Sequence, residues 1–206
     1  MSITAQIRPP TPWLPDLNWR ERTGLTLDDV EQLARAGAFT DDDDLELING
    51  RLVPQKPAGS PVGRRHAVVK EQLTRELMRL TLTRKALQDV FVAGGPQFNL
   101  SNDKFAKPDI LLRPMKIVTA DVRGPTALLV IEVSDTSLMH LSDKALLYAT
   151  HGVQDYWVID AWSLVTTVHR GPAAGGFGSI VPVPPNQLLV PLLLPNLQLR
   201  LDQLAV

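Results

Sequence analysis

Three residues of this chain have the types and spacing for metal-assisted phosphate chemistry. Asp109 stands at the start of a short apolar run, Glu132 lies near the end of a longer one, and Lys144 follows it. Mg²⁺ takes one or two carboxylates and completes its coordination with water and phosphate oxygens. Asp109 and Glu132 on neighbouring strands would supply those carboxylates. The ammonium of Lys144 would stabilise negative charge on the phosphate or position the attacking water.

Each of these residues also has a plainer interpretation. A carboxylate inside a doubly covered strand costs several kcal/mol unless it is paired, protonated or bound to a metal. A buried salt bridge therefore explains Glu132 as well as a metal site does. The Pro108-Asp109 pair is on its own typical of a turn, and Lys144 on its own is typical of a solvated helix.

The strand that carries Glu132 is predicted from continuous apolarity between Ala127 and Val133, which is typical of a central strand buried on both faces. A helix from about Ser142 to His151 follows, with Lys144 and Tyr148 one turn apart. Further strands are predicted at 88–92, 97–100, 109–112, 155–160 and 164–170.

The end of the chain is less regular. Glycine and proline are frequent in 171–187, which predicts a long loop. The apolar segments 188–190 and 197–199 are predicted to be edge strands or a closing segment.

Upstream, Thr26 is a predicted N-cap for a helix through Ala36. Asn49-Gly50 between two apolar runs, 45–48 and 51–53, predicts a β-hairpin. Ser60, followed by Pro61 at the first helical position, predicts a longer helix that reaches about Lys85.

That long helix has one apolar face and basic flanks. The apolar face comprises His66, Val69, Leu73, Leu77 and Leu80. Segment 64–85 contains seven basic and two acidic residues, so its local charge is +5. Such a face suits nucleic acid, although the net charge of −1 argues against a protein that binds mainly by neutralising phosphates along its whole surface.

The composition is that of an ordinary globular protein of 206 residues, 44% hydrophobic and 21% charged. Residues 1–22 are predicted to be an extended arm rich in proline and tryptophan, and 23–206 a single domain. The absence of cysteine excludes disulfides and cysteine-based zinc sites. No apolar run approaches the ~20 residues of a membrane span, so we expect no membrane contact and a cytoplasmic location.

The order of motifs in the chain resembles a known family. A Pro-Asp pair followed by Glu-Val on an apolar strand resembles the PD-(D/E)xK nuclease superfamily. More closely, the chain from about 25 to 200 resembles the Uma-two family of restriction-endonuclease-like proteins. The matching segments are Leu45 to Leu52, Glu132-Val133-Ser134, Asp143-Lys144, Tyr148, Gly152-Val153, Asp155 to Asp160 and the strand that ends at Arg170.

The resemblance implies an α/β (α+β) restriction-endonuclease-like core: a central mixed β-sheet flanked by helices, with an N-terminal hairpin. It also implies that Lys144 replaces the superfamily's lysine, because Ser134 occupies that lysine's usual position. His140 stands where the family often has an acidic residue. His66 falls where the family usually has a histidine that opens the long helix.

The predicted site comprises Glu46, Asp109, Glu132 and Lys144 as catalytic residues, with Asp109 and Glu132 as metal ligands and His66, Ser134 and Tyr148 as accessory residues. For Glu46 an exposed strand carboxylate, and for His66 a hydrogen-bonded histidine at the helix N-terminus, are equally open interpretations.

The leading hypothesis is a DNA endonuclease that depends on Mg²⁺ or Mn²⁺ and acts as a homodimer, because duplex cleavage needs two strand cuts. The proline- and tryptophan-rich arm is a candidate for the dimer contact. A second hypothesis is a nuclease fold that no longer cuts and serves as a nucleic-acid-binding or assembly module. A third is hydrolysis of another phosphodiester, such as RNA. No sequence-reading motif is present, so no target sequence is predicted.

Overall fold

The computed structural model describes residues 19–40, 43–55, 63–135 and 139–206, without the side chains of 139–142. Most of the predicted arm therefore lies outside the described residues. Within the described ranges, no helix has both the length and the apolarity to cross a membrane.

The described residues form three α-helices and ten β-strands. The helices are α1 (Leu27–Arg35), α2 (Arg64–Thr83) and α3 (Met139–Thr150). The strands are β1 (Leu45–Ile48), β2 (Arg51–Pro54), β3 (Val90–Gly94), β4 (Phe98–Ser101), β5 (Lys104–Ala106), β6 (Ile110–Pro114), β7 (Leu129–Ser134), β8 (Asp155–Asp160), β9 (Thr166–Ala173) and β10 (Gly176–Val183).

Two sheets organise these strands. The larger sheet has the order β10-β9-β8-β7-β6-β3, in which β7 and β8 are parallel and the other neighbours are antiparallel. The smaller sheet has the order β2-β1-β5-β4. This mixed sheet, with its helices and N-terminal hairpin, confirms the α/β fold class that the sequence predicts.

The central strand β7 is covered on both faces, as its continuous apolarity predicts. Leu129 and Ile131 pack into one core cluster with the apolar face of α2. Val130 packs into a second cluster with Tyr148 of α3. Because side chains alternate along a strand, Glu132 shares the α3 side of β7 with Val130.

The N-terminal elements follow their local signals closely. Thr26 and Asp29 form a reciprocal capping box at the start of α1. Asn49 and Gly50, with φ of 50° and 71°, form the turn between β1 and β2. A side chain at Gly50 would also collide with the backbone, because its Cβ would lie 2.9 Å from the Cα of Gly24.

The predicted loop at 171–187 is wrong for most of its length. Strand β9 continues to Ala173, and β10 pairs with it antiparallel up to Val183. Pro182 is tolerated because β10 is an edge strand, which need not donate hydrogen bonds on its outer side, and Gly171 and Pro172 of β9 lie beyond the register with β8.

Other differences concern element boundaries. Helix α2 begins at Arg64 with Gly63 as its N-cap, whereas Ser60 and Pro61 lie outside the described residues. Helix α3 begins three residues before the predicted Ser142. The C-terminal segments form a single bridge between Leu189 and Leu199 and close the core cluster beneath α2.

A close backbone approach fixes α3 against the segment that leads into β7. A Cβ at Gly124 would lie 1.8 Å from the carbonyl oxygen of His151, just beyond α3. Gly124→Ala is therefore expected to lower the free energy of unfolding by about 2 kcal/mol, because the backbone must move apart. Urea unfolding measures this change. Gly175→Ala is the control, since a Cβ there meets nothing within 4 Å, and equal losses in both variants would contradict the prediction.

Candidate active site

The predicted site residues meet where the two sheets join. The segment 107–109 connects β5 of the small sheet to β6 of the large one. The register of β6 and β7 pairs Ile110 with Ile131, so its continuation places Asp109 opposite Glu132. Strand β1 supplies Glu46, whose neighbours Leu45 and Leu47 face the core under α1.

Lys144 connects the two sheets through one ammonium group. Its Nζ lies 3.0 Å from Oε1 of Glu132 on β7 and 3.0 Å from Oε1 of Glu46 on β1. The amide N–H of Lys107 also donates to Oε1 of Glu46, at 2.8 Å. Burial opposes the charge on Lys144, but the two carboxylates outweigh it and raise its pKa, so the ammonium stays protonated.

The surroundings of Glu132 disfavour its ionised form. Burial raises its pKa to about 7; the charges of Asp109 and Glu46 act in the same direction, and Lys144 opposes them. The hydroxyl of Tyr148 donates to Oε1 of Glu132 at 3.0 Å. Burial and the Glu132 charge raise the pKa of Tyr148, so this hydroxyl keeps its proton and remains a donor.

Asp109 is held as a carboxylate by three donors. Its Oδ2 accepts from Nε2 of His66 at 3.0 Å and from the amide N–H of Val133 at 2.8 Å. Its Oδ1 lies 3.0 Å from Nζ of Lys70. Burial favours the neutral form, but the hydrogen bond from His66 and the charge of Lys70 outweigh it and lower the pKa of Asp109 to about 2.

His66 is buried at the start of α2 and uses one ring nitrogen for Asp109. Because the Asp109 carboxylate can only accept, Nε2 carries the proton in this contact. The other nitrogen, Nδ1, is buried and has no hydrogen-bond partner among the described residues. The contact with Asp109 places His66 in the site.

The structure thus brings together Glu46, His66, Asp109, Glu132, Lys144 and Tyr148. Ser134 ends β7, and its carbonyl oxygen accepts from the amide N–H of Ala161 at 2.7 Å. The side chain of His140 lies outside the described residues, so the family departure at this position stays untested. The roles of these residues in catalysis remain predictions.

One residue of the cluster, Lys70, was missed by the sequence-based prediction, which treated it only as part of the basic flank of α2. It follows His66 by one helical turn, and residues four apart on a helix share a face. That spacing was available in the sequence. What was not available was the angle at which α2 meets β6.

The donor chemistry fits a small divalent cation. Asp109 and Glu132 offer carboxylate oxygens, which Mg²⁺ and Mn²⁺ prefer. All contacts described for Glu132 go to Oε1. No group of three acidic, histidine or cysteine residues forms a ready-made metal cluster in the described ranges. Mg²⁺ is usually bound by one or two carboxylates, and solvent and phosphate oxygens complete its coordination.

Comparison with protein families decides which family the chain represents. The model of the family Uma2, described as "Putative restriction endonuclease", matches residues 27–202. The chain belongs to the Uma2 family. The match covers both sheets, all three helices and every member of the site, so the resemblance that the motifs predict is confirmed.

A solved structure shows that the fold of this Uma2 chain is shared. It is the crystal structure of "a putative nuclease belonging to DUF820" from Anabaena variabilis ATCC 29413, at 1.96 Å resolution. The likeness covers 86% of this chain and 96% of that one, with a TM-score of 0.65 and 20% identity. A search among curated proteins finds no match. The family description supports a nuclease, and the solved structure shows the fold alone.

The raised pKa of Glu132 has a consequence for the stability of this Uma2 chain. An unfolded glutamate has a pKa of about 4.3, so the folded protein binds this proton more tightly. The stabilisation is present below that pH and is lost as the pH rises through about 7. The lowered pKa of Asp109 contributes stability that is present above about pH 4 and is lost as the pH falls through about 2.

Glu132→Gln should therefore gain stability relative to the wild type between about pH 5 and pH 8, by roughly 2 kcal/mol. Urea unfolding across this range measures the difference. Glu71→Gln, at an exposed position on α2, is the control and should show a flat difference. A flat difference for Glu132→Gln as well would contradict the raised pKa.

Proposed function

We propose that this Uma2-family protein is an endonuclease that hydrolyses DNA phosphodiester bonds with Mg²⁺ or Mn²⁺. Asp109 and Glu132 are the metal ligands, Lys144 is the catalytic cation, and Glu46 assists. The observation that supports this proposal best is that the site contains more buried carboxylates than ammonium groups to neutralise them. Three buried carboxylates, those of Glu46, Asp109 and Glu132, meet the ammonium groups of Lys70 and Lys144.

The role of each residue follows from its contacts. A bound divalent cation supplies a Lewis acid and a water of lowered pKa at the reacting phosphate. Glu46 and Glu132 both contact the ammonium of Lys144, and the two contacts together orient it. Tyr148 holds Oε1 of Glu132. His66 and the Val133 amide hold Oδ2 of Asp109, which fixes the direction of Oδ1.

The choice of DNA as substrate is supported by the family description and by the charge of α2. The helix brings His66 and Lys70 to Asp109, and Arg64 in its first turn is exposed. Several other basic side chains of this segment are engaged within the protein. Arg65 donates to Ala161 O, and Arg75 and Arg79 pair with glutamates of the same helix. A symmetric dimer and a cytoplasmic location are part of the same proposal.

The alternative is a nuclease fold that binds nucleic acid or a partner without cutting. The observation that favours it is that Lys70 and Lys144 already pair with the acidic residues. Internal ion pairs of this kind explain the buried carboxylates without a metal. The two functions differ in their response to divalent cations.

Metal binding is tested by thermal unfolding with Mn²⁺. At a hundredfold excess over Kd, a bound ligand stabilises by about 2.7 kcal/mol, which should raise the melting temperature by roughly 5–10 °C. Asp109→Asn should abolish the shift. Asp103→Asn, which removes a carboxylate paired with Lys104 outside the site, should keep it. A wild-type protein that shows no shift would favour the non-catalytic function.

Cleavage is tested by conversion of supercoiled plasmid to nicked and linear forms. Wild-type protein should require Mg²⁺ or Mn²⁺, and Glu132→Gln and Lys144→Met should each lower the rate by about a hundredfold or more. Lys104→Met is the matched control, because it removes a lysine paired with a carboxylate away from the site. Nicking that survives unchanged in the Glu132 and Lys144 variants would show a contaminating nuclease and contradict the proposal.

A further inference from the structure

The donors that hold Asp109 differ in how easily they can leave. The amide N–H of Val133 is part of β7 and cannot move without breaking the sheet. The side chain of His66 is 9% exposed and is fixed in the core beside the strand. The side chain of Lys70 is 33% exposed and reaches Asp109 from one helical turn beyond His66. Lys70 is therefore the only one of these three donors that can exchange freely.

The three donors also divide the carboxylate between them. His66 and the Val133 amide both bind Oδ2, whereas the Lys70 ammonium binds Oδ1. An incoming cation therefore finds Oδ2 already saturated and must take Oδ1. A cation at Oδ1 shares that oxygen with the Lys70 ammonium, so the two positive charges compete for it.

The side chain of Lys70 is partly exposed, so its ammonium can reach solvent. Its Nζ lies beside Gly95, where an added Cβ would come within 3.6 Å of it. The loop after β3 thus presents backbone rather than a side chain to the ammonium. Lys144 differs in this respect, since its side chain is 16% exposed and is held by two carboxylates at once.

We propose that Lys70 is the exchangeable counter-ion of Asp109, which a divalent cation displaces from Oδ1 when it binds. The inference rests on the proposed metal-dependent function and adds a residue to it. Without metal, Lys70 keeps the buried Asp109 carboxylate neutralised and in position. When metal binds, the ammonium swings towards solvent, because two cations at one oxygen repel each other.

This exchange makes Lys70 a competitor of the metal. The effect of removing Lys70 on metal affinity should therefore be opposite to the effect of removing a residue that supports the site. Removal of the ammonium should tighten metal binding, since the cation no longer displaces a charge-assisted contact. A lysine that merely maintained the shape of the site would show the reverse, because its loss would disorder Asp109 and weaken binding.

The experiment measures the Kd of Mn²⁺ alone by the loss of the EPR signal of free Mn²⁺ on titration with protein. Lys70→Met should bind Mn²⁺ about tenfold more tightly than the wild type. Lys70→Arg, which keeps the charge and can hold a carboxylate through two nitrogens, should bind no more tightly than the wild type. Lys104→Met, the matched control, should stay within about twofold, because charges outside the site are screened.

The outcomes separate this inference from the proposed function. Wild-type binding that Asp109→Asn abolishes, with unchanged or weaker binding by Lys70→Met, overturns the role of Lys70 and leaves the metal site standing. No binding by the wild type or by Lys70→Met overturns the proposed metal-dependent function itself. If Lys70→Met binds Mn²⁺ and the wild type does not, the result supports competition between Lys70 and the metal most strongly. Lys70→Gln provides the same test where Lys70→Met fails to fold.

Discussion

The ammonium of Lys144 is the contact on which the rest of the site depends. It lies 3.0 Å from carboxylates on two different sheets and is supplied by α3, which packs against both of them. Removing one partner of a buried ion pair costs about 3–5 kcal/mol, because the other charge is left uncompensated. The position of α3, the approach of the N-terminal hairpin and the protonation of Glu132 are thus coupled through a single group.

Around this contact the protein tolerates an unusual density of negative charge. Asp109 keeps a pKa of about 2 because three donors hold it, whereas the pKa of Glu132 rises to about 7. Two carboxylates on adjacent strands are therefore kept in different electrostatic states. Pairs of groups whose surroundings push their pKa values apart are typical of functional sites. A fold that needed these residues only for stability would gain more from apolar side chains of similar volume.

Much of this arrangement could be predicted from the sequence, and the exceptions have physical causes. The continuous apolarity around Glu132 predicts a central strand, and Asn49-Gly50 predicts the hairpin; both signals are local, and both predictions are confirmed. The strand within 171–187 was missed because glycines and prolines are typical of a loop, whereas here they lie on an edge strand or beyond the register with β8. Lys70 was missed because its contact with Asp109 depends on how α2 packs against β6, and residue spacing does not reveal that packing.

The junction between the two sheets determines when the site can form during synthesis of the chain. Glu46 and Lys144 come from opposite halves of the sequence, and Asp109 meets donors from α2 and β7. Contacts between distant segments form late, because long loops must close before they are made. A nascent chain still on the ribosome, or a fragment that proteolysis has cut before α3, carries the acidic residues but not their assembled geometry. The constellation exists only in the completed molecule.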